Sequence, residues 1–217
     1  MLTKVKRLSQ DFYLDSDAIS IAQKLLGKLL VSHINNVKTS GIIVETEAYI
    51  GPEDQGSHAK NGRRTPRNEN MYAIGGTAYL YKSYGIHDMV NVVTNAEGVP
   101  HAILIRAIQP KEGLSIMQLR RGVNANNYHL TGGPGKVAQA LGVGTAHDGV
   151  SLVKSEILGI CDIDNEIFQE NIIIGPRVGM SKYVGSWANS PLRFYVKDNP
   201  WVSRPLKISY PLEWSLI

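Results

Sequence analysis

Residues 41–49, which read GIIVETEAY, restrict the possible folds of this chain more than any other stretch. Apolar and β-branched residues alternate there with other residues at period two, and this pattern predicts a β-strand. On such a strand Glu45, Glu47 and Tyr49 project to the same side. Carboxylates that face a protein interior need a partner or a shifted pKa, and such groups collect at functional sites. A glutamate pair by itself more often belongs to a solvated sheet face, so both interpretations stay open at this point.

The rest of the hydrophobic pattern predicts several short strands and a few helices around this strand. A strand over residues 29–34 and a hairpin turn at Asn35-Asn36 lead into GIIVETEAY. The other expected elements are an irregular arm over 1–14, a helix over 19–26 capped by Asp15 or Ser16, a helix from Pro110 to about Arg121, a helix after the glycine loop at 132–136, and strands at 89–93, 99–108, 171–174 and 191–196. No linker or repeat interrupts this order. We therefore expect residues 1–217 to form one α/β domain of the α+β type around a mixed or antiparallel sheet.

Composition limits the class of protein. The chain has 217 residues, of which 43% are hydrophobic and 19% charged, so a folded core is expected and disorder is not. The single cysteine, Cys161, excludes an internal disulfide and offers no metal-ligand spacing. No apolar run has the length of a signal-peptide core or a membrane span, which predicts a cytoplasmic protein. The net charge of +4 permits a polyanionic partner without requiring one.

Residues 51–70 form a long polar stretch that is rich in turn-forming residues. It contains His58 and three arginines, Arg63, Arg64 and Arg67. A loop of this length in a compact domain is usually functional or disordered. Taken alone, the histidine and the arginines are also compatible with an ordinary solvated loop.

The next stretch, GGTAYLYKSYGIHDMVNVV, predicts a hairpin. Tyr79 and Tyr81 share one face of its first strand, and Tyr84 lies at its tip. An exposed tyrosine at a hairpin tip either contacts something outside the chain or folds back on its own sheet. The local sequence does not choose between these two outcomes.

Two further features of the sequence are candidate functional elements: an arginine within an apolar strand and a loop rich in glycine. Arg106 interrupts the apolar strand VPHAILIRAI, and a buried arginine there needs an anionic partner, for which Glu47 is a candidate. The alternative is an edge strand with Arg106 in solvent. The glycine loop GGPGK at residues 132–136 lacks the spacing of a P-loop. Its amides and Lys136 suit a single phosphate, and a plain helix start is an equal alternative.

Eight blocks occur in an order that resembles a known family. They are VETEAYIGPED, GRRTPRN, GGTAYLYKSYG, VNVV, LIRAIQP, GPGK, PRVG and PLRFYV, and they span about residues 10–205. Together they resemble the alkyladenine DNA glycosylase family, also called methylpurine or 3-methyladenine DNA glycosylase. The resemblance implies a monomeric single domain with a curved, mainly antiparallel sheet. It also implies excision of alkylated and deaminated purines from double-stranded DNA, with no metal and no cofactor.

The resemblance assigns the hydrolytic chemistry to three residues. Glu47, rather than Glu45, matches the general base that activates the attacking water. Arg106 matches the residue that helps hold this water, and the backbone carbonyl of Val178 matches its third ligand. The sugar becomes oxocarbenium-like during the reaction, so a nearby carboxylate also stabilises the developing positive charge.

Further residues match the binding of the base and the DNA. The base-binding residues are Tyr49, His58, Tyr81, Asn91 and Leu104, among which Asn91 discriminates against normal guanine. Tyr84 matches the residue that wedges into the duplex, with Met71 as a second apolar residue near it. Phosphate contacts are expected from Arg63, Thr65, Arg67 and Lys136. His87 departs from the aromatic that is frequent at its position, and residues 180–187 are one residue longer than the family form.

Three other functions are alternatives to a monofunctional DNA glycosylase. A bifunctional glycosylase would cut the backbone through a lysine Schiff base, with Lys136 as the nucleophile. A non-catalytic lesion-recognition protein would need the pocket and Tyr84 but not Glu47. A basic RNA-binding domain would leave the acidic strand unexplained.

Overall fold

The computed structural model describes residues 5–207, and every strand in that range belongs to one sheet with antiparallel pairing. The strands are β1 (Lys6–Arg7), β2 (Leu29–Ile34), β3 (Val37–Ile50), β4 (Ala78–Ser83), β5 (His87–Thr94), β6 (His101–Glu112), β7 (Leu158–Asp162), β8 (Ile172–Gly175) and β9 (Arg193–Val196). The α-helices are α1 (Gln10–Tyr13), α2 (Ala18–Lys24), α3 (Leu114–Arg121), α4 (Tyr128–Thr131) and α5 (Pro134–Leu141). The sheet curls into a half-barrel beside these helices, which confirms the predicted α+β class with a curved antiparallel sheet.

Strand β3 organises the sheet because three other strands pair with it. Residues 37–42 pair with β2, residues 45–47 pair with β9, and β6 runs along nearly the whole of β3. The main path is β1-β7-β2-β3-β6-β5-β4, and β8 continues the branch through β9. Glu45 and Glu47 therefore lie between β6 and β9, and both are 0% exposed. This burial rules out the solvated sheet face that a glutamate pair would otherwise suggest.

Helix α5 packs against β5 and β6 with an almost wholly apolar inner face. Val137, Ala138 and Leu141 are completely buried, at the spacing that places them on one side of a helix. The helix begins at Pro134, within the glycine loop, and ends at Leu141, where Gly142, with a φ of +71°, forms the cap. Its start is tied to the sheet, because the amide of Gly133 donates to the carbonyl of Arg106 at 2.8 Å.

The helix predicted from Pro110 begins instead at Leu114, so this prediction is wrong. Pro110 lies in β6 opposite Gly41, where the register between β3 and β6 is irregular. A proline is tolerated at such a position because no ladder hydrogen bond depends on its missing N–H. Gly113, with a φ of +78°, then separates the strand from the helix.

The first residues of the described chain also differ from the prediction. Residues 5–14 contain β1 and α1 rather than an irregular arm. Helix α2 is capped by Asp17, whose Oδ1 accepts the amides of Ile19 at 2.9 Å and Ser20 at 3.1 Å. The predicted caps were Asp15 and Ser16. Asp15 instead accepts the amide of Asp17 at 3.0 Å, and the side chain of Asp17 bonds the amides at the helix start.

Two turns follow the prediction. Asn35 and Asn36 have φ values of 53° and 61°, which confirms the left-handed hairpin turn between β2 and β3. Tyr84 and Gly85, with φ values of 51° and 71°, form the tip of the β4–β5 hairpin. In the range 5–207, no helix has the length and hydropathy needed to cross a membrane.

Candidate active site

Paired bulges in β3 and β6 place Arg106 opposite the two glutamates. Ile43 pairs with Ile108, Glu45 with Ala107 and Thr46 with Ile105, so Arg106 has no direct partner in the ladder. A bulge of this kind redirects the side chain of the extra residue. Strand β6 lies between β3 and β5, and Arg106 is only 6% exposed. The alternative of an edge strand with Arg106 in solvent is therefore wrong.

Two of the buried carboxylates, Glu45 and Glu47, form one cluster with the guanidinium groups of Arg106 and Arg193. Nε of Arg106 lies 3.0 Å from Oε1 of Glu45, and its Nη1 lies 3.2 Å from Oε1 of Glu47. Nε of Arg193 lies 2.6 Å from the same oxygen of Glu45. Burial works against the charge of Arg106, but Glu47 and Glu45 outweigh it and raise its pKa. Arg106 is thus a fixed cation between the two glutamates.

Glu47 has hydrogen-bond donors on both of its carboxylate oxygens. The amide of Val178 donates to Oε1 at 2.7 Å, beside Nη1 of Arg106. The hydroxyl of Tyr49 donates to Oε2 at 3.0 Å. The structure therefore brings together Glu47, Arg106 and Val178, the three residues predicted for hydrolysis, and it adds Tyr49. Val178 contacts Glu47 through its amide, whereas the prediction was that its carbonyl holds the attacking water.

A cavity of about 80 Å³ lies next to this cluster. Its lining residues are Tyr49, Gly56, His58, Met71, Tyr79, Tyr81, Asn91 and Ala102. Four of the five residues predicted to bind the base therefore line the same cavity: Tyr49, His58, Tyr81 and Asn91. The fifth, Leu104, pairs with Asn91 on one side and with Glu47 on the other. Leu104 does not line the cavity, and it lies in the sheet between Glu47 and the cavity-lining Asn91.

The aromatic side chains of the cavity pack against one another. The ring centroids of His58 and Tyr81 are 4.5 Å apart, and those of Tyr79 and Tyr81 are 5.3 Å apart. Nδ1 of His58 lies 2.8 Å from the hydroxyl of Tyr79. Nδ2 of Asn91 donates to the carbonyl of Tyr79 at 2.9 Å, which fixes the orientation of its amide. Sequence reasoning missed Tyr79 as a lining residue, although its place on the same strand face as Tyr81 was visible.

Burial keeps the aromatic groups of the cavity uncharged. The pKa of His58 is lowered to about 4 by burial and then by the nearby charges of Arg67 and Arg63. Burial, with the charge of Glu47, raises the pKa of Tyr81 to about 12. The pKa of Tyr49 is raised well above its usual value by burial and by Glu47. At neutral pH the cavity therefore presents a neutral imidazole and neutral phenols.

Met71 lies in a different place from the one predicted. It was expected beside Tyr84 at the wedge, but it is 2% exposed and lines the cavity. The short 3₁₀ turn Glu69–Tyr72 carries it inward, where it packs with Tyr72 and Tyr79. In the structure Met71 is therefore part of the cavity wall and not of the surface.

A groove of about 370 Å³ runs along the surface beside the cavity. Its lining residues are Gln55, Gly56, Ser57, His58, Lys60, Arg63, Thr65, Arg67, Asn68, Tyr84, Gly179, Met180, Ser181 and Val184. His58 and Gly56 line both the groove and the cavity, so the two are adjacent. Tyr84 is 90% exposed, so the alternative in which it folds back on its sheet is wrong.

Three of the four residues predicted to contact phosphates line this groove. Arg63, Thr65 and Arg67 line it, and Lys60 adds another cation that the sequence analysis did not single out. The guanidinium of Arg67 donates to the carbonyl of Lys82 at 3.0 Å, which holds it beside the hairpin. Lys136 lies outside both the groove and the cavity, and its Nζ donates to the carbonyl of Tyr128 at 3.3 Å.

The described part of the chain has no group of three or more His, Cys, Asp or Glu side chains that could hold a metal ion.

Two further charged residues border the cavity without lining it. Asp54 and Arg177 form a buried ion pair behind Tyr49. Sequence reasoning did not single out either residue, although both lie in blocks that carry the family resemblance, GPED and PRVG.

Comparisons with known proteins show which chains this one is similar to. The family model described as methylpurine-DNA glycosylase matches residues 11–200. A protein of Chlamydia abortus is 46% identical over 188 residues, which cover 86% of this chain and 96% of that protein. A protein of Bacillus cereus is 41% identical, covering 89% and 97%, and one of Staphylococcus saprophyticus is 40% identical, covering 90% and 93%. All three relatives are named as 3-methyladenine DNA glycosylases.

Proposed function

This chain belongs to the methylpurine-DNA glycosylase family, and from that premise we propose how it selects and removes a base. It is a DNA glycosylase, a hydrolase of N-glycosyl bonds that acts on DNA with damaged bases. The proposed substrates are 3-methyladenine, 7-methylguanine, hypoxanthine and ethenoadenine in double-stranded DNA. The proposed nucleophile is a water activated by Glu47, and the protein acts as a monomer.

The first proposed step is extrusion of the damaged nucleotide from the duplex. Unstacking and unpairing a base costs a few kcal/mol, and an inserted aromatic side chain offsets part of that cost. Tyr84 suits this role because it is 90% exposed at the tip of the β4–β5 hairpin. The groove that it borders shares His58 and Gly56 with the lining of the cavity.

The extruded purine then stacks against the aromatic groups of the cavity. Stacking on such side chains contributes about 1–3 kcal/mol per base and tolerates many bases, which suits a range of lesions. Because the phenols and the imidazole are neutral, their π-faces also attract the positive charge of an alkylated purine. Asn91 is tied to the carbonyl of Tyr79 and cannot turn away, which supports its role in excluding the amino group of guanine.

Hydrolysis requires a water near Glu47 on the side opposite the departing base. The water oxygen forms a bond with C1′ of the sugar while the bond from C1′ to the purine nitrogen breaks. Glu47 accepts the proton, and its negative charge stabilises the oxocarbenium-like sugar. The observation that carries the proposal is the buried Glu47 beside the aromatic cavity, bonded by Arg106, Tyr49 and Val178. A non-catalytic lesion binder has no use for such a carboxylate.

The test is single-turnover excision from a duplex that contains one hypoxanthine, with ethenoadenine and methylated-purine duplexes in parallel, in the presence of a chelator. Glu47→Gln should abolish base release and keep binding to the lesion duplex, because the amide retains the shape of the side chain but cannot accept the proton. Glu53→Gln is the matched control, since Glu53 is an exposed glutamate of the same region and should excise normally.

Other outcomes separate the alternatives. Normal excision by Glu47→Gln rejects Glu47 as the base. Tight binding without base release by the wild-type protein on every lesion supports the non-catalytic alternative. Backbone cleavage without added alkali, lost in Lys136→Gln, supports the bifunctional alternative.

A further inference from the structure

The ion pair between Asp54 and Arg177 is buried beside the cavity. Nη1 of Arg177 lies 2.5 Å from Oδ2 of Asp54, and Nη2 lies 2.7 Å from Oδ1. Asp54 is 0% exposed and Arg177 is 4% exposed. A guanidinium that meets a carboxylate through two parallel hydrogen bonds is fixed in orientation as well as in position.

Asp54 connects this pair to the loop that leads to His58. Its Oδ1 accepts the amide of Gly56 at 2.8 Å, and its Oδ2 accepts the amide of Ile50 at 3.3 Å. A side chain at Gly56 would lie 2.7 Å from Nη2 of Arg177, so the loop closes tightly on the guanidinium. The end of β3 and the loop after it are thereby held against the same arginine.

Arg177 also contacts the strand that carries the site. Its Nη1 donates to the carbonyl of Ala48 at 3.1 Å. Its guanidinium carbon lies 4.6 Å from the centroid of the Tyr49 ring, at the distance of a cation–π contact. Arg177 itself does not line the cavity, so it supports the ring from the side that the base does not use.

The residue that follows, Val178, donates its amide to Glu47. One arginine is thus bonded to β3, stacked on the base-binding Tyr49, and covalently next to a donor of the proposed general base. We infer that Arg177, oriented by Asp54, is a positioning residue that sets the Tyr49 ring and the Val178 amide relative to Glu47. The inference rests on the proposed function of Glu47 and Tyr49.

The expected effect follows from the geometry of attack. A displacement of about 1 Å between reacting groups can lower a rate by about 100-fold, even when the substrate still binds. Arg177→Lys keeps the positive charge near Asp54 but cannot bond both carboxylate oxygens, the Ala48 carbonyl and the Tyr49 face together. We therefore expect slower chemistry with little loss of affinity.

The experiment compares wild type, Arg177→Lys, Asp54→Asn and the double variant on the hypoxanthine duplex. Each single variant should excise about 10- to 100-fold more slowly in single turnover. The dissociation constant for the lesion duplex should change by about threefold at most, which corresponds to about 0.7 kcal/mol. The double variant should be no slower than the slower single variant, because the two residues act as one unit.

Hydrogen exchange of the Val178 amide gives a readout that does not depend on activity. In Arg177→Lys this amide should exchange about tenfold faster or more, because its contact with Glu47 becomes less persistent. Ile160→Val is the control for lost stability, since Ile160 is fully buried in β7, two strands away from β3. It should leave both the excision rate and the exchange of Val178 unchanged.

Each result decides the inference. Wild-type rates and wild-type protection of Val178 in both single variants would overturn it. An equal loss of rate and of affinity would make the pair a binding element instead and would also overturn it. A wild-type protein that releases no base would defeat the proposed function, and the exchange of Val178 would still decide whether Arg177 holds that amide.

Discussion

At the scale of single residues, the cavity depends on side chains that stay neutral against the surrounding arginines. His58 is half-buried, with its Nδ1 on the hydroxyl of Tyr79 and the charges of Arg67 and Arg63 nearby. A protonated imidazole would repel a cationic base. Burial therefore preserves the same electron-rich surface on which cationic and neutral purines can stack.

This neutrality has a measurable effect on stability. The pKa of His58 is about 4 in the folded protein, against an ordinary value of 6.5 for histidine, so the unfolded chain takes up the proton first as the pH falls. Stability contributed by the neutral histidine is complete above about pH 6.5 and is lost as the pH falls towards 4. We expect wild type to lose about 2–3 kcal/mol more unfolding free energy than His58→Gln across this window. Urea unfolding of both proteins at several pH values checks this, and parallel curves would show that His58 is not the group responsible.

At the scale of secondary-structure elements, the site depends on irregularities in an otherwise regular sheet. The paired bulges of β3 and β6 leave Arg106 unpaired and turn it between Glu45 and Glu47. The period-two pattern correctly placed both glutamates and Tyr49 on one face, but it carries no information on which residue of a ladder lacks a partner. The sequence pattern also ended β6 too early and assigned Pro110 to a helix, although Pro110 lies in the strand.

What the sequence could and could not predict follows the range of the interactions. Local signals located the Asn35-Asn36 turn, Tyr84 at the tip of the β4–β5 hairpin, and α5 at the glycine loop. Packing decided the rest. Met71 was misplaced because a 3₁₀ turn brings it inward, and Arg177 was missed because its partner Asp54 is 123 residues away in the chain. Contacts at such separations leave no periodic trace in a single sequence.

The cap of α2 gives an element-scale test of one corrected prediction. Asp17 bonds two free amides at the helix start, whereas Asp15 bonds Lys24 and the amide of Asp17. Asp17→Ala should therefore lower the free energy of unfolding by about 1 kcal/mol. Asp15→Ala, a matched change two residues earlier, should cost less than half of that, because its ion pair is exposed. Chemical denaturation compares the two, and an equal or larger loss at Asp15 would return the cap to the residue first predicted.

At the scale of the whole molecule, the groups proposed to meet DNA gather around one opening. The exposed Tyr84, the adjacent groove and cavity, and the cations Lys60, Arg63 and Arg67 lie together, although the net charge of the chain is only +4. A modest net charge can serve a polyanionic partner when its positive part is concentrated where the ligand binds. The same loop also contains Arg64, whose guanidinium is engaged by Glu69 at 3.0 and 3.2 Å.

This difference within one loop allows a test of the DNA-binding surface. Each phosphate contact releases counterions, so the logarithm of the binding constant falls with the logarithm of salt by about 0.9 per contact. Arg63→Gln should reduce this slope by about that amount and weaken binding to lesion and undamaged duplexes alike, since a phosphate contact reads no sequence. Arg64→Gln removes the same charge, but its carboxylate partner already neutralises that charge, so we expect the slope to stay close to wild type. Binding of a labelled duplex across a salt series measures both slopes. An equal reduction in the two variants would mean that the loop acts only through its total charge, and an unchanged slope in Arg63→Gln would remove the groove from the proposed DNA interface.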